Sequence, residues 1–143
     1  MRSYFPDINV WIALAYGGHE HHIPAATWLG EIDDDSIYFC RFTQLGFLRL
    51  LTNAVIMKED VKNQHGAWEV YDLLLRDERF GFLPEPGLEQ VEIAFRNLTS
   101  AARPSTRQWP DAYVAAFAEV AGLTVVTFDR ALHRMANGSL LLT

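Results

Sequence analysis

One stretch limits the folds open to this chain more than any other. LTVVTF, Leu123 to Phe128, is an unbroken run of β-branched and apolar residues with helix-forming sequence on both sides. A strand with one wet face alternates apolar and polar residues, whereas a run without alternation needs cover on both faces. Upstream, DAYVAAFAEVAG reads as an Ala-rich helix with Gly122 as its C-cap, and downstream DRALHRM supplies one or two helical turns before SLLLT, a last short strand. Strand, helix and strand in that order describe a parallel sheet with helices packed on it.

The same alternation runs through the rest of the chain. RSYF is strand-like and breaks at Pro6, and helical periodicity begins at Asn9, so Asp7 falls between strand and helix. PAATWLGEI is a second helix, the triple Asp33, Asp34, Asp35 a polar turn, and IYFC a second buried strand. FTQLGFLRLLTN places Leu45, Leu48 and Leu51 at helical spacing, with Thr43 as the expected N-cap. AVIMKEDVK reads as a loop, NQHGAWEVYDLLLRD as a helix, FGFLPEP as a short strand and GLEQVEIAFRNLTS as an amphipathic helix. AARPSTRQWP is a loop, after which a helix begins at Asp111. The expected fold class is α/β, a three-layer α/β/α sandwich with a mostly parallel central sheet, formed by a single domain over residues 1–143.

Composition narrows the function classes. A lone Cys40 forms neither an internal disulfide nor a cysteine-based zinc cluster, and no targeting prefix precedes the first strand, which favours the cytoplasm. No apolar run approaches the roughly 20 residues that cross a bilayer, so no membrane partner is expected. A net charge of −6 gives no whole-protein positive field for nucleic acid. Nucleic-acid chemistry would depend on local basic residues or on bound metal.

In a parallel sheet, sites form beyond the C-terminal ends of strands. Asp7 and Asp129 each follow a strand, and Asp111 begins the helix before the last long strand. Asp is also a preferred N-cap, stabilising a helix start by about 0.5–2 kcal/mol, and each residue alone fits that role equally well. Three converging carboxylates would repel one another without a cation, whereas Mg²⁺ or Mn²⁺ prefers such oxygen ligands. A hard divalent ion so held suits phosphodiester hydrolysis without a nucleophilic side chain, and the chain has no Gly-x-Ser-x-Gly elbow.

FPDINVWIAL, TQLGFLRLLTN and DAYVAAFAEVAGLTVVTFDRAL, in order over nearly the whole chain, resemble the PIN-domain ribonucleases, in particular the VapC-type toxins of bacterial toxin–antitoxin pairs. The resemblance implies a PIN-like parallel sheet flanked by helices, a Mg²⁺- or Mn²⁺-dependent endoribonuclease acting on RNA, homodimerisation and inhibition by a cognate antitoxin protein. It implies Asp7 and Asp111 as metal ligands, Asp129 completing the acidic cluster directly or through water, and Asn9 and Thr127 as supporting polar residues. Many PIN domains carry a further Glu in a pattern like Glu-Phe-Leu-Arg, where this chain has Gly46-Phe47-Leu48-Arg49. Gln44 is the nearest polar residue, either a neutral oxygen donor to metal, water or RNA, or a polar helix residue in a structural hydrogen bond. The missing acid keeps a second reading in view, a catalytically degenerate PIN-like domain that binds RNA or protein.

Arg103 and Arg107 precede Asp111 in the loop and are candidates to hold RNA phosphates; Arg49 and Arg130 follow other site segments, and Trp109 could stack a base or pack. His19, His21 and His22 invite a zinc reading, but zinc needs three or four converging ligands, so a loop leading into a helix is expected. A receiver-like signalling domain would want paired acids after the first strand and a late Lys, and no Lys follows Lys62. A dehalogenase-like phosphatase would want Asp-x-Asp, where Asp7-Ile8-Asn9 supplies one carboxylate.

Overall fold

A computed structural model describes residues 2–143. The elements follow as β1 (Ser3–Pro6), α1 (Ile8–Ala15), α2 (His22–Glu31), β2 (Ser36–Phe39), α3 (Arg41–Leu51), α4 (Ala54–Met57), α5 (Gln64–Leu74), β3 (Phe80–Phe82), α6 (Leu88–Leu98), α7 (Gln108–Ala121), β4 (Thr124–Thr127), α8 (Arg130–Met135) and β5 (Leu140–Leu141). The sheet order is β3-β2-β1-β4-β5 and every pairing is parallel. This is the α/β sandwich that the apolar strand runs imply.

Both faces of the sheet are covered, which is why its strands lack polar alternation. Tyr4, Ile37, Phe39 and Val126 face one core with α1, α2, α3 and α5; Phe5, Cys40 and Val125 face the other with α7 and α8. Stacked rings anchor each side. Trp11 lies 3.6 Å from Phe39 at 10° between planes, and Phe5 lies 4.7 Å from Phe117 at 7°. Each fully buried ring of this kind contributes about 1.5–3 kcal/mol relative to leaving it in water.

Local chemistry departs from the sequence reading at three places. Thr43 does not cap α3: Cys40 stands at the cap, and Thr43 accepts the Cys40 N–H through Oγ1 at 2.9 Å from one turn inside. The AVIM segment is a helical turn because Asn53 accepts from the amides of Val55 and Ile56. Helix α7 starts at Gln108, so Pro110 sits in its first turn, where a missing N–H costs nothing, and Asp111 points from the end of that turn.

The order of strands places the site. β1 is followed by β2 on one side and joined by β4 on the other, so the connections diverge between β1 and β4. A crevice opens beyond the C-terminal ends of strands at such a switch point. Asp7 follows β1 and Asp129 lies two residues beyond β4.

Candidate active site

Asp7 is the N-cap of α1: its Oδ1 accepts the Val10 amide at 3.0 Å. Its other oxygen, Oδ2, accepts the hydroxyl of buried Thr127 at 2.5 Å. Thr127 Oγ1 in turn accepts the backbone N–H of Asp129 at 2.9 Å. One hydroxyl thus ties the acid after β1 to the chain after β4, and the β1–β4 pairing continues through Asp7 N–H donating to Val126 O at 3.0 Å.

Asp129 caps α8, its Oδ1 accepting from Ala131 at 2.7 Å and Leu132 at 3.4 Å, which leaves Oδ2 without an internal partner among the described residues. Capping and site membership are therefore compatible at both residues, because Asp129 keeps a second oxygen and each bonded oxygen of Asp7 retains a further lone pair. Asp111 is half-buried on α7, where the packing of that helix against α8 brings it towards Asp129.

The electrostatics link the three. Asp7 is only 8 % exposed, and its carboxyl is pushed up from 3.8 to about 6, chiefly by burial, against the opposing bonds from Thr127 and Val10 and with added repulsion from Asp111 and Asp129. Asp111 is also raised, by burial and then by Asp129, with Arg107 acting in the opposite direction. A buried acid facing two further acids is an unfavourable arrangement that a cation relieves. Among the described residues, no three His, Cys, Asp or Glu side chains converge closely enough as they stand to hold a metal ion. The donor set nevertheless fits a hard divalent ion in kind: oxygen only, partly buried, and mutually repulsive without one.

The remaining candidates separate. Gln44 is buried, and its Oε1 accepts Arg41 Nη1 at 2.6 Å, so that oxygen is already engaged. Asn9 is exposed in the first turn of α1. At the position of the missing acid, a Cβ on Gly46 would meet the tip of the Ile8 side chain, so the residue after Asp7 packs against α3 where a longer side chain would begin. Arg103 and Arg107 are exposed in the loop before α7. Arg103 lines a cleft of about 310 Å³ with Thr99, Ser105, Gln108 and Trp109, and that cleft does not include the acids. Trp109 is 55 % exposed, 5.9 Å from Phe95.

The histidines do not gather around a common point. His21 N–H donates to His19 Nδ1 at 3.0 Å, His22 Nδ1 lies 2.7 Å from Ala13 O, and the His21 ring stacks on Phe128 at 4.5 Å. Arg41 is the residue at this sheet edge that the sequence reading passed over. Its spacing to Gln44, one helical turn on, was the available signal.

Comparisons with known proteins bear on the family and the fold. The PIN domain family model matches residues 4–138. Ribonuclease VapC41 of Mycobacterium tuberculosis (strain CDC 1551 / Oshkosh) is 38% identical over 131 residues, covering 87% of this chain and 88% of that protein. Among solved structures, Mycobacterium tuberculosis VapC20, described as a Sarcin-Ricin loop cleaving toxin, superposes with a TM-score of 0.70 at 15% identity, covering 98% of this chain and 99% of that one. FitAcB from Neisseria gonorrhoeae gives 0.63 at 22% identity, covering 96% of each chain. VapBC2 from Rickettsia felis, bound to a DNA fragment from their promoter, gives 0.65 at 12% identity, covering 97% of this chain and 96% of that one. At such identities these structures bear on the fold alone.

Proposed function

The chain belongs to the PIN-domain family, and from that premise we propose that it is a Mg²⁺- or Mn²⁺-dependent endoribonuclease, the cytoplasmic toxin of a VapC-type toxin–antitoxin pair. The observation that carries the reading is the buried carboxyl of Asp7, facing Asp111 and Asp129 at the switch point of the sheet. Its partners are RNA as substrate, a cognate antitoxin protein, and a second copy of the chain. No helix among the described residues is long and apolar enough to cross a membrane.

Asp7, Asp111 and Asp129 would hold the cation. When bound, a divalent ion supplies Lewis-acid stabilisation of phosphoryl charge and lowers the pKa of an attacking water. The chain's own residues do the rest. Thr127 fixes Asp7 Oδ2, and the Val10 amide fixes Oδ1, so the carboxylate is oriented before any ligand arrives. Asp129 keeps Oδ1 on the start of α8 and offers Oδ2. Arg107, close enough to Asp111 to lower its pKa, and Arg103 farther along the loop are cations for phosphates flanking the cut.

A second reading is favoured by Gly46, which carries no carboxylate where many PIN domains have one: a PIN-like domain that binds RNA or protein without cutting. Calorimetric titration with Mn²⁺ separates the two. The nuclease reading expects saturable binding that is lost in both Asp7→Asn and Asp111→Asn. Absence of carboxylate-dependent binding in the unmodified chain would leave the binding-only reading.

A further inference from the structure

We infer that Arg41 is a phosphate-binding residue of this site, gripping the RNA backbone on the β3 side of the acid cluster; the inference rests on the ribonuclease reading above. Strand register puts it there. Counting three residues along both strands from the Tyr4–Ile37 pair brings Asp7 level with Cys40, so Arg41 leaves the sheet one residue beyond that level. It also opens α3, and its side chain turns towards β3, with the guanidinium carbon 4.8 Å from the centre of the Phe82 ring.

Two contacts fix the guanidinium without using it up. The guanidinium carbon lies over the Phe82 ring, and Nη1 donates to Gln44 Oε1 at 2.6 Å. Gln44 is buried, so its carbonyl oxygen would lose its partner if the arginine swung away. A guanidinium carries five N–H donors, and Arg41 spends one of them among the described residues.

Two other arginines are consumed within the fold. Arg79 spends its donors internally, on Asp77, Leu29 O and Ile32 O. Arg96 pairs with Glu92 at 3.1 Å. Arg41, although exposed, has no Asp or Glu within ion-pair distance among the described residues, a lack it shares with Arg103, Arg107 and others; the Gln44 and Phe82 contacts are what set it apart. A long cation normally loses rotamer freedom when it engages a ligand, and here that freedom is already restricted. The free edge of the fork matches the bidentate geometry of a phosphate. Gln44 is then a positioning residue, holding the cation that does the binding.

The test measures binding of a fluorescent single-stranded oligoribonucleotide by anisotropy, using the full chain with Asp7→Asn so that RNA stays intact, across a series of KCl concentrations. Adding Arg41→Gln is expected to weaken binding about tenfold. It should also lower the slope of log Kd against log salt by about 0.7, the value for one lost phosphate contact on a single strand. Arg41→Lys should restore the slope but not the full affinity, because an ammonium lacks the fork and the ring contact. Parental affinity and slope in Arg41→Gln would overturn the inference, and so would a loss of affinity with the slope unchanged, which marks a packing role. RNA binding that survives while the unmodified chain never cuts RNA refutes the nuclease reading and not the cation. Failure of the Asp7→Asn chain and the unmodified chain to bind RNA at all overturns both.

Discussion

At the scale of single residues, Asp7 sets the behaviour of the site. Its carboxyl is raised to about 6 in the folded chain, chiefly by burial, and returns to an ordinary 3.8 on unfolding. The folded state therefore binds a proton more tightly than the unfolded one, and stability falls as pH rises between those two values. Without metal, Asp7 should cost the chain up to about 3 kcal/mol from pH 4 to above pH 6, and Asp7→Asn should remove that part of the dependence, leaving the part due to Asp111, which is raised too. Chemical denaturation in chelator at a series of pH values checks this; a stability that climbs with pH through this window contradicts it. Asp7 and Asp129 stood out in sequence as carboxylates directly after apolar strands, and Asp111 as an acid at a helix start before the last long strand. The linkage through Thr127 was not, since its hydroxyl reaches a carboxylate 120 residues away and only the register of β1 on β4 brings them together.

At the scale of elements, periodicity located the long helices and strands, and chemistry at their ends decided the rest. The C-cap of α7 was readable: Gly122 stops the helix in the left-handed region at φ 70°, which a glycine adopts without steric cost. Gly122→Ala should lower the unfolding free energy by about 1 kcal/mol, measured by urea denaturation, with RNA cleavage retained. An alanine variant as stable as the parent would show that the cap contributes nothing. The start of α3 was not readable, because Thr43 is a good cap by type, yet its hydroxyl is used on the Cys40 backbone from inside the helix. Likewise the short α4 depends on the Asn53 side chain rather than on any apolar pattern. Gly46 shows a limit of motif reading: the absent acid was visible, but the Ile8 side chain lying against Gly46 requires the packing of α1 on α3.

At the scale of the whole molecule, an acidic chain is proposed to act on a polyanion, and the fold offers a way to reconcile the two. A parallel sheet gathers residues distant in sequence at one edge, where acids suited to a cation lie near Arg107 and Arg41 follows the neighbouring strand β2. Layering and parallel pairing followed from uninterrupted apolar strands alternating with helices. The order β3-β2-β1-β4-β5 did not, because each strand of a doubly covered sheet is apolar all round and carries no mark of its neighbour. That order matters for function, since only β4 beside β1 brings Asp129 to Asp7. The most direct test of the central claim is cleavage of a panel of tRNA, rRNA and mRNA fragments by the purified chain with Mg²⁺ or Mn²⁺, beside Asp7→Asn and Asp111→Asn. Metal-dependent cutting is expected, falling by at least about a hundredfold in each variant. Cutting at the parental rate by both variants would contradict it.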